Sequence, residues 1–360
     1  MATPLRVLIA GGGTGGHVVP ALAIARELRD VHGAEVRFVG TPRGLETRLV
    51  PEAGFPLELI DVGQLKNVSL ATRVRTLFNL PLCILRCVEL VRSFRPQVVI
   101  GVGGYASGPA MMAAILLRIP TLVFEPNAAA GLANRLVGKH VNAAAVNFEQ
   151  TTRFFHNARV TGTPVRQEFF AIEPKVSGAE KRLLVFGASQ GARVLNQTMP
   201  KIMERLLVEF PTLTVVHQTG GRHGETTVAA YEQEGVGFER VRVTPYLNDM
   251  ADQFAAADLI LCRSGASSVA EVAAAGRAAV LIPFPLAADD HQRMNAEAFV
   301  SAGAAELLIE AEVTPERLLQ VLRDLLADDQ RRAEMGQRAR ALANPNAVRE
   351  IAGIAVGLAR

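Results

Sequence analysis

Apolar residues in this chain gather into short runs separated by stretches of helical periodicity, and one such arrangement occurs twice. Arg6-Val7-Leu8-Ile9-Ala10 reads as a short strand, followed by the loop Gly11-Gly12-Gly13-Thr14-Gly15-Gly16-His17 and a helix from about Pro20 to Asp30. Near residue 182 the plan recurs, with Arg182–Phe186 as strand, Gly187-Ala188-Ser189-Gln190-Gly191 as loop and Ala192–Leu207 as helix. Further strands are predicted at Glu35–Val39, Gln97–Gly101 and Thr121–Phe124 in the first half. In the second half they fall at Leu213–His217, Leu259–Cys262 and Ala279–Ile282. Strands alternating with helices argue for parallel sheets covered on both faces. The expected fold is therefore α/β, with two doubly wound, Rossmann-like domains, residues 1–163 and 164–344, divided near Thr161-Gly162-Thr163-Pro164. A last helix, about Asn346–Leu358, follows Asn344-Pro345, and the segment 345–360 is expected to pack back on the first domain. Such sheets bind ligands beyond the carboxyl ends of their strands, so a cleft between the two domains is the expected site.

Composition narrows the function. The 360 residues are 49% apolar and 20% charged, which supports sizeable cores and excludes a disordered chain. There is no Trp and only 5% aromatic residues, against stacking platforms for bases or long glycans. A net charge of +3 is too small for a protein that neutralises many phosphates, so no nucleic-acid partner is expected. Three cysteines, Cys83, Cys87 and Cys262, read as reduced thiols of a cytoplasmic protein. Cys83 and Cys87 stand one helical turn apart, but no other Cys or His lies near them, and no metal is expected. No signal peptide is visible, and no run approaches the roughly 18–20 apolar residues of a spanning helix. Ala110–Leu117 stops at Arg118, and Ala278–Ala288 is broken by Pro283 and Pro285. Any membrane role is expected to be peripheral.

The glycine loops carry the candidate chemistry. Gly11, Gly13 and Gly16 satisfy the G-x-G-x-x-G dinucleotide pattern. A dinucleotide fold also wants an acid at the end of its second strand, and here that strand runs into Gly40-Thr41-Pro42 with its acid, Glu35, at the start. The cofactor reading recedes. Small residues at a helix start leave backbone N–H groups for an anion, and His17 beside them can act as an acid or base near neutral pH. Gly103-Gly104-Tyr105-Ala106-Ser107-Gly108-Pro109 forms a second such turn after the strand Gln97–Gly101. The richest segment is Cys262-Arg263-Ser264-Gly265-Ala266-Ser267-Ser268-Val269-Ala270-Glu271. Ser267 and Ser268 could cap the following helix or meet phosphate oxygens. Glu271 could take the two hydroxyls of a ribose, or complete a capping box with Ser268. Asp289-Asp290-His291-Gln292 suits sugar hydroxyls; an Asp-His metal pair there lacks a third ligand. Leu77–Leu85, ringed by Arg73, Arg75, Arg86, Arg92 and Arg95, is either a helix core face or an apolar patch for anionic lipid.

Taken together, Gly12–His17, Gly103–Pro109, Ser189-Gln190-Gly191-Ala192-Arg193, Asn196–Pro200, Cys262–Ala266, Glu271 and Asp290-His291-Gln292 with Asn295-Ala296 resemble the MurG family of UDP-N-acetylglucosamine:lipid I transferases. The resemblance covers nearly the whole chain in order. It implies a GT-B fold, with acceptor bound mainly by the first domain and donor by the second. It places substrate-binding residues at Thr14, Gly15, Gly16, Asn127, Arg166, Ser189, Leu247, Ala266, Ser267, Ser268, Val269, Ala270, Glu271 and Gln292. Leu247 would meet the uracil through its backbone, Glu271 the ribose and Gln292 the sugar hydroxyls. The acceptor loop would comprise Gly103, Gly104, Tyr105, Ser107 and Gly108. The chain departs from the family pattern at Ala188, where glycine is usual, at Pro126, where Gln is expected, and at His291, where some members carry Gln. The implied reaction is inverting transfer of GlcNAc to the C4 hydroxyl of the MurNAc of lipid I, with His17 as candidate base or acceptor-orienting group and no cofactor. Implied partners are UDP-GlcNAc, lipid I and an anionic membrane surface at the cytoplasmic face, with other cell-wall synthesis and division proteins as further candidates. Competing readings are a GT-B transferase with another acceptor, a UDP-GlcNAc 2-epimerase, a sugar-nucleotide-binding scaffold and a nicotinamide oxidoreductase.

Overall fold

The computed structural model describes residues 4–63, 70–175, 178, 180–187 and 190–359, with side chains 70–77 outside the description. The chain divides into two units, Met1–Val165 with Asn344–Arg360, and Arg166–Ala343. The first holds strands β1 (Arg6–Gly11), β2 (Glu35–Gly40), β3 (Leu57–Leu59), β4 (Val98–Gly103), β5 (Thr121–Glu125), β6 (Ala143–Val146) and β7 (Ala158–Val160). They form an all-parallel sheet in the order β3-β2-β1-β4-β5-β6-β7. The second holds β8 (Lys181–Phe186), β9 (Leu213–Gln218), β10 (Val241–Thr244), β11 (Leu259–Cys262), β12 (Ala279–Leu281) and β13 (Glu306–Leu307). Its order is β10-β9-β8-β11-β12-β13, again parallel throughout.

Alternation along β1 shows why these are two-faced sheets. Val7 and Ile9 enter one buried cluster, Leu8 and Ala10 the other, and a strand buried on both faces must be apolar at every position. The strand order reverses between β1 and β4 in the first sheet and between β8 and β11 in the second. At such a switch point the connections leave to opposite sides and open a crevice at the strand ends. The glycine loops after β1, β4 and β8 and the Arg263–Gly265 turn after β11 all stand there.

The helix after β1 begins at Gly15, a turn and a half before the expected start near Pro20, and runs to Asp30. Thr14 is its N-cap in extended conformation, and its carbonyl accepts from Val18 N–H at 3.1 Å. Pro20 lies inside, in the second turn. The helix tolerates the one hydrogen bond a proline forgoes because Val18, Ala21, Leu22, Ala25 and Leu28 bury one face. The last helix, Ala347–Leu358, belongs to the first unit and buries Ala347, Ile351, Ala352 and Ala355. Three of these, Ile351, Ala352 and Ala355, share a cluster with the helix Gly15–Asp30. Truncating Ile351 to Ala should cost about 2–5 kcal/mol.

Candidate active site

In the first unit the two glycine loops are in contact. Gly12 N–H donates to the Gly103 carbonyl at 3.3 Å. Gly104 has φ +81°, and a Cβ there would lie 2.4 Å from Gly12 O. Only glycine fits that approach. A Cβ on Gly103, φ +91°, would stand 3.0 Å from His17 Nε2, so the imidazole rests directly on the second loop. His17 is the third residue of its helix, and its Nδ1 is 3.4 Å from Thr14 Oγ1. Gly15 and Gly16 form the first turn beneath it. Tyr105 is exposed, while Ser107, buried, opens the helix Ser107–Leu116 with Gly108 beside it. Of the first-domain candidates, His17, Thr14, Gly103 and Gly104 are thus brought together by direct packing.

Two buried acids not singled out by sequence brace this half, Glu46 behind the first glycine loop and Glu125 behind the turn that follows β5. Glu46 accepts from Gly13 N–H at 2.7 Å and from the N–H and hydroxyl of Thr41, both at 2.9 Å. Gly12, Gly40 and Gly44 close around its carboxyl, and a Cβ on any of the three would collide with it. The Gly40-Thr41 end of β2, which lacks the acid of a dinucleotide fold, is therefore one wall of a carboxyl cradle. Glu125, at the end of β5, accepts from Asn127 N–H and Nδ2 at 3.1 Å each, from Gly131 N–H at 2.9 Å and from Asn134 Nδ2 at 3.0 Å. Burial pushes its carboxyl upward, opposed by those hydrogen bonds. Asn127 therefore spends its side-chain nitrogen inside the protein. No spacing motif marks either acid; the flanking glycines were the available signal.

In the second unit Ala188 and Ser189 lie outside the described residues, so the expectation for Ser189 does too. Gly187 and Gly191 frame that loop, and a Cβ at Gly191, φ +74°, would lie 1.8 Å from Thr219 O. After β11 the chain turns at Gly265, which is the N-cap of the helix Ala266–Ala275. This corrects the capping readings. Ser267 and Ser268 are the second and third helical residues, and the cap makes no side-chain hydrogen bond. Glu271 is the sixth, too far along for a capping box, which needs the acid at the third position. Ala266, Val269 and Ala270 are buried.

Glu271 is half-buried, and burial pushes its carboxyl up to about 7, with Arg166 pulling it down and Glu168 pushing it up. Arg166 pairs with Glu168 at 2.7 Å and lies over the Phe169 ring. Arg166 and Glu271 thus act on each other within one unit. Ser264 Oγ donates to the Gln292 carbonyl at 2.8 Å, and Asn295 Nδ2 donates to Ser264 O at 3.1 Å. These bonds tie the turn after β11 to the helix His291–Ser301. Gln292 Oε1 accepts from Phe284 N–H at 3.0 Å, leaving its NH2 group to donate to a ligand. His291 Nδ1 lies 2.7 Å from Ala288 O. Among the described residues no group of three metal-ligating side chains occurs. Leu247 follows β10 next to Tyr246, in a segment held by Gln218 Nε2 on Pro245 O at 2.9 Å and by Thr244 Oγ1 on Tyr246 O at 2.9 Å. Thr14, Gly15, Gly16 and Asn127 belong to the first unit, and Arg166, Leu247, Ala266–Glu271 and Gln292 to the second.

Two parallel-sheet domains, each opening its switch point onto a glycine loop and a helix start, define a GT-B glycosyltransferase architecture. The description "Glycosyltransferase family 28 N-terminal domain" matches residues 7–146 and "Glycosyltransferase family 28 C-terminal domain" residues 182–351. A UDP-N-acetylglucosamine--N-acetylmuramyl-(pentapeptide) pyrophosphoryl-undecaprenol N-acetylglucosamine transferase of Solibacter usitatus is 44% identical over 360 residues, 99% of this chain and 97% of that protein. The crystal structure of Acinetobacter baumannii MurG superposes with a TM-score of 0.85 at 33% identity, over 98% of this chain and 100% of that one. A putative UDP-N-acetylglucosamine 2-epimerase from Listeria monocytogenes, at 14% identity and a TM-score of 0.68 over 97% and 95% of the two chains, shares the fold alone. The chain belongs to glycosyltransferase family 28 and, within it, to the MurG family of N-acetylglucosaminyltransferases.

Proposed function

We propose that this protein transfers GlcNAc from UDP-GlcNAc to the C4 hydroxyl of MurNAc in undecaprenyl-pyrophosphoryl-MurNAc-pentapeptide, giving lipid II and UDP in peptidoglycan synthesis. The observation that carries this reading is the 44% identity to a transferase of that name over 99% of the chain. The first domain takes the acceptor, with His17 and the loop Gly103, Gly104, Tyr105, Ser107 and Gly108 as its half-site. The second takes the donor through Arg166, Ser189, Leu247, Ala266–Glu271 and Gln292, with Thr14, Gly15, Gly16 and Asn127 contributing from the first domain.

His17 accepts the proton of the C4 hydroxyl as that oxygen attacks C1 of GlcNAc. The bond from C1 to the β-phosphate oxygen breaks, its electron pair leaves with UDP, and the anomeric centre inverts. The start of the helix Ala266–Ala275 and the Arg166 guanidinium favour the charge gathering on UDP, since aligned helix amides act as roughly half a positive charge. Glu271 accepts the ribose hydroxyls in its ionised form, so donor affinity should fall as the pH drops below about 7.

The acceptor is a lipid, and the first domain carries a surface suited to an anionic bilayer at the cytoplasmic face. On the helix Leu70–Phe94, Phe78, Leu82 and Leu85 are 80%, 53% and 63% exposed at spacings of four and three. Cys83, Cys87, Val91 and Phe94 on its other side are buried. Met112 and Leu116 are exposed on the neighbouring helix Ser107–Leu116; Arg86, Arg92 and Arg118 are exposed on or just after these two helices, as is Glu89. The side chains of Leu77, Arg73 and Arg75 lie outside the described residues. No helix among the described residues is long and apolar enough to cross a membrane. Contacts with other cell-wall and division proteins would use the same peripheral position.

Incubation with labelled UDP-GlcNAc, with and without a short-chain lipid I analogue, tests the reading. Label should reach the lipid, with UDP released, only when acceptor is present. Epimerised nucleotide without acceptor would instead assign the chain to the epimerase chemistry, and no UDP-GlcNAc binding would refute the proposal.

A further inference from the structure

One fully buried polar chain in the second domain is not used by the mechanism. His217, near the end of β9, has Nδ1 2.8 Å from the Tyr231 hydroxyl and Nε2 3.0 Å from Asn196 Oδ1. Asn196 Nδ2 in turn donates to the Thr219 carbonyl at 3.0 Å. His217, Tyr231 and Thr219 are completely buried and Asn196 nearly so. Because the carboxamide must present its nitrogen to a carbonyl, its oxygen faces the imidazole, and His217 must carry its proton on Nε2. Tyr231 then donates to Nδ1. Every group in the line from Tyr231 through His217 and Asn196 to Thr219 has one possible direction. Burial alone holds the imidazole neutral, pushing its pKa down to about 3.

What this line reaches is the glycine loop after β8. Thr219 O occupies the space a Gly191 side chain would need, and a Cβ on Gly220, φ +81°, would lie 2.5 Å from the backbone of Gln190 and of Gly191. Asn196 itself stands in the first turn of the helix Arg193–Glu209, and its backbone N–H donates to Ala192 O at 3.0 Å. The relay therefore connects a distant helix (Gly224–Gln233, which carries Tyr231) to both sides of one loop. We infer that Tyr231, His217 and Asn196 are positioning residues that set the turn Gln190-Gly191-Ala192 after β8 for the pyrophosphate of the nucleotide donor. This rests on the reading of the second domain as the donor domain. A neutral brace is the physical requirement, because a charged group at this place would have to be buried unpaired, and an acid would oppose the anion the loop receives. The three residues act through the loop and touch no reacting atom.

The test compares UDP with uridine, which lacks the pyrophosphate, by calorimetry on the full chain and its variants. Asn196→Leu should weaken UDP binding about tenfold, equivalent to about 1.4 kcal/mol, and Tyr231→Phe about threefold, while uridine affinity stays within a factor of about two. In turnover the loss should appear in KM for UDP-GlcNAc more than in kcat. Tyr231→Phe removes a single hydroxyl and keeps the test open if Asn196→Leu does not fold. Equal loss of UDP and uridine in a folded variant would show a general structural role and overturn the inference, as would unchanged UDP affinity in both variants. If the unsubstituted protein binds uridine but not UDP, the loop is not a pyrophosphate site. If it binds neither, the donor-domain reading itself fails, and the relay's role with it.

Discussion

The first domain braces the glycine loop after β1 and the turn after β5 with buried acids, whereas the second braces the glycine loop after β8 through a neutral imidazole. Glu46 consumes the Gly13 N–H and Glu125 consumes the N–H groups of Asn127 and Gly131. Donors spent on protein carboxyls cannot also meet a phosphate. The imidazole of His17 lies against Gly103 in that half. In the second domain the brace ends on a carbonyl, Thr219 O, which lies against Gly191 of the loop after β8. Under the proposed function, similar strand–loop–helix units would suit different partners, a hydroxyl that must lose a proton and a pyrophosphate that must be held. The group behind a glycine loop decides this as much as the glycines do.

Five variants separate the halves. The largest effect should come from His17→Ala, which should lower kcat by about 10²–10⁴ while leaving the UDP dissociation constant nearly unchanged. Near-normal turnover would remove His17 as the base. Next, making Phe78, Leu82 and Leu85 serine together should reduce binding to vesicles containing anionic lipid by at least about a hundredfold, since losing even about four buried CH2 equivalents at about 0.8 kcal/mol each costs about 3 kcal/mol. Soluble-donor binding should be unaffected. Equal vesicle binding by the triple variant would place the membrane contact elsewhere.

Gly104→Ala and Gly220→Ala form the sharpest pair, since each forces a Cβ against backbone at φ +81° and should cost about 1–3 kcal/mol. The first should depress turnover with donor affinity kept; the second should weaken UDP binding. If both variants behaved alike in the two assays, the division of labour would be wrong. The smallest effect concerns Glu271. Its folded carboxyl sits near about 7 against an unfolded value of 4.5, so the folded state holds the proton more tightly. Stability is then fully present at low pH and declines as the pH rises through that window. Glu271→Gln should flatten this slope and be relatively more stable at pH 8, by about 1–2 kcal/mol after allowance for solvent. Melting temperatures between about pH 5 and 8 would show it, and an unchanged slope would mean that burial does not raise the carboxyl as described.

Much of this arrangement is legible along the chain. The doubled strand–loop–helix plan, the apolar strands β1, β5, β8 and β11 and the returning last helix follow from periodicity and glycine placement, because a strand covered on both faces admits few polar residues. Short edge strands were not legible. β3, β7 and β13 have two or three residues each, and β6 is Ala-Ala-Ala-Val, whose preference for strand comes from its neighbours rather than itself. Pro20 misled the helix start, since a proline usually marks the first turn and here the buried face outweighs it. Ser267, Ser268 and Glu271 matched a capping spacing but fall one turn too late, because Gly265 takes the extended N-cap position.

The sequence by itself determined the two parallel-sheet domains, the positions of their glycine loops and the family, since these depend on local patterns of apolar, small and turn-forming residues. Only the tertiary structure decided which side chains stand behind those loops. Glu46 is 33 residues from the Gly13 N–H it accepts from, and His217 is 21 residues from Asn196 and 14 from Tyr231. Such partners meet through sheet register and helix packing, and a buried hydrogen bond leaves no periodicity in the chain that makes it.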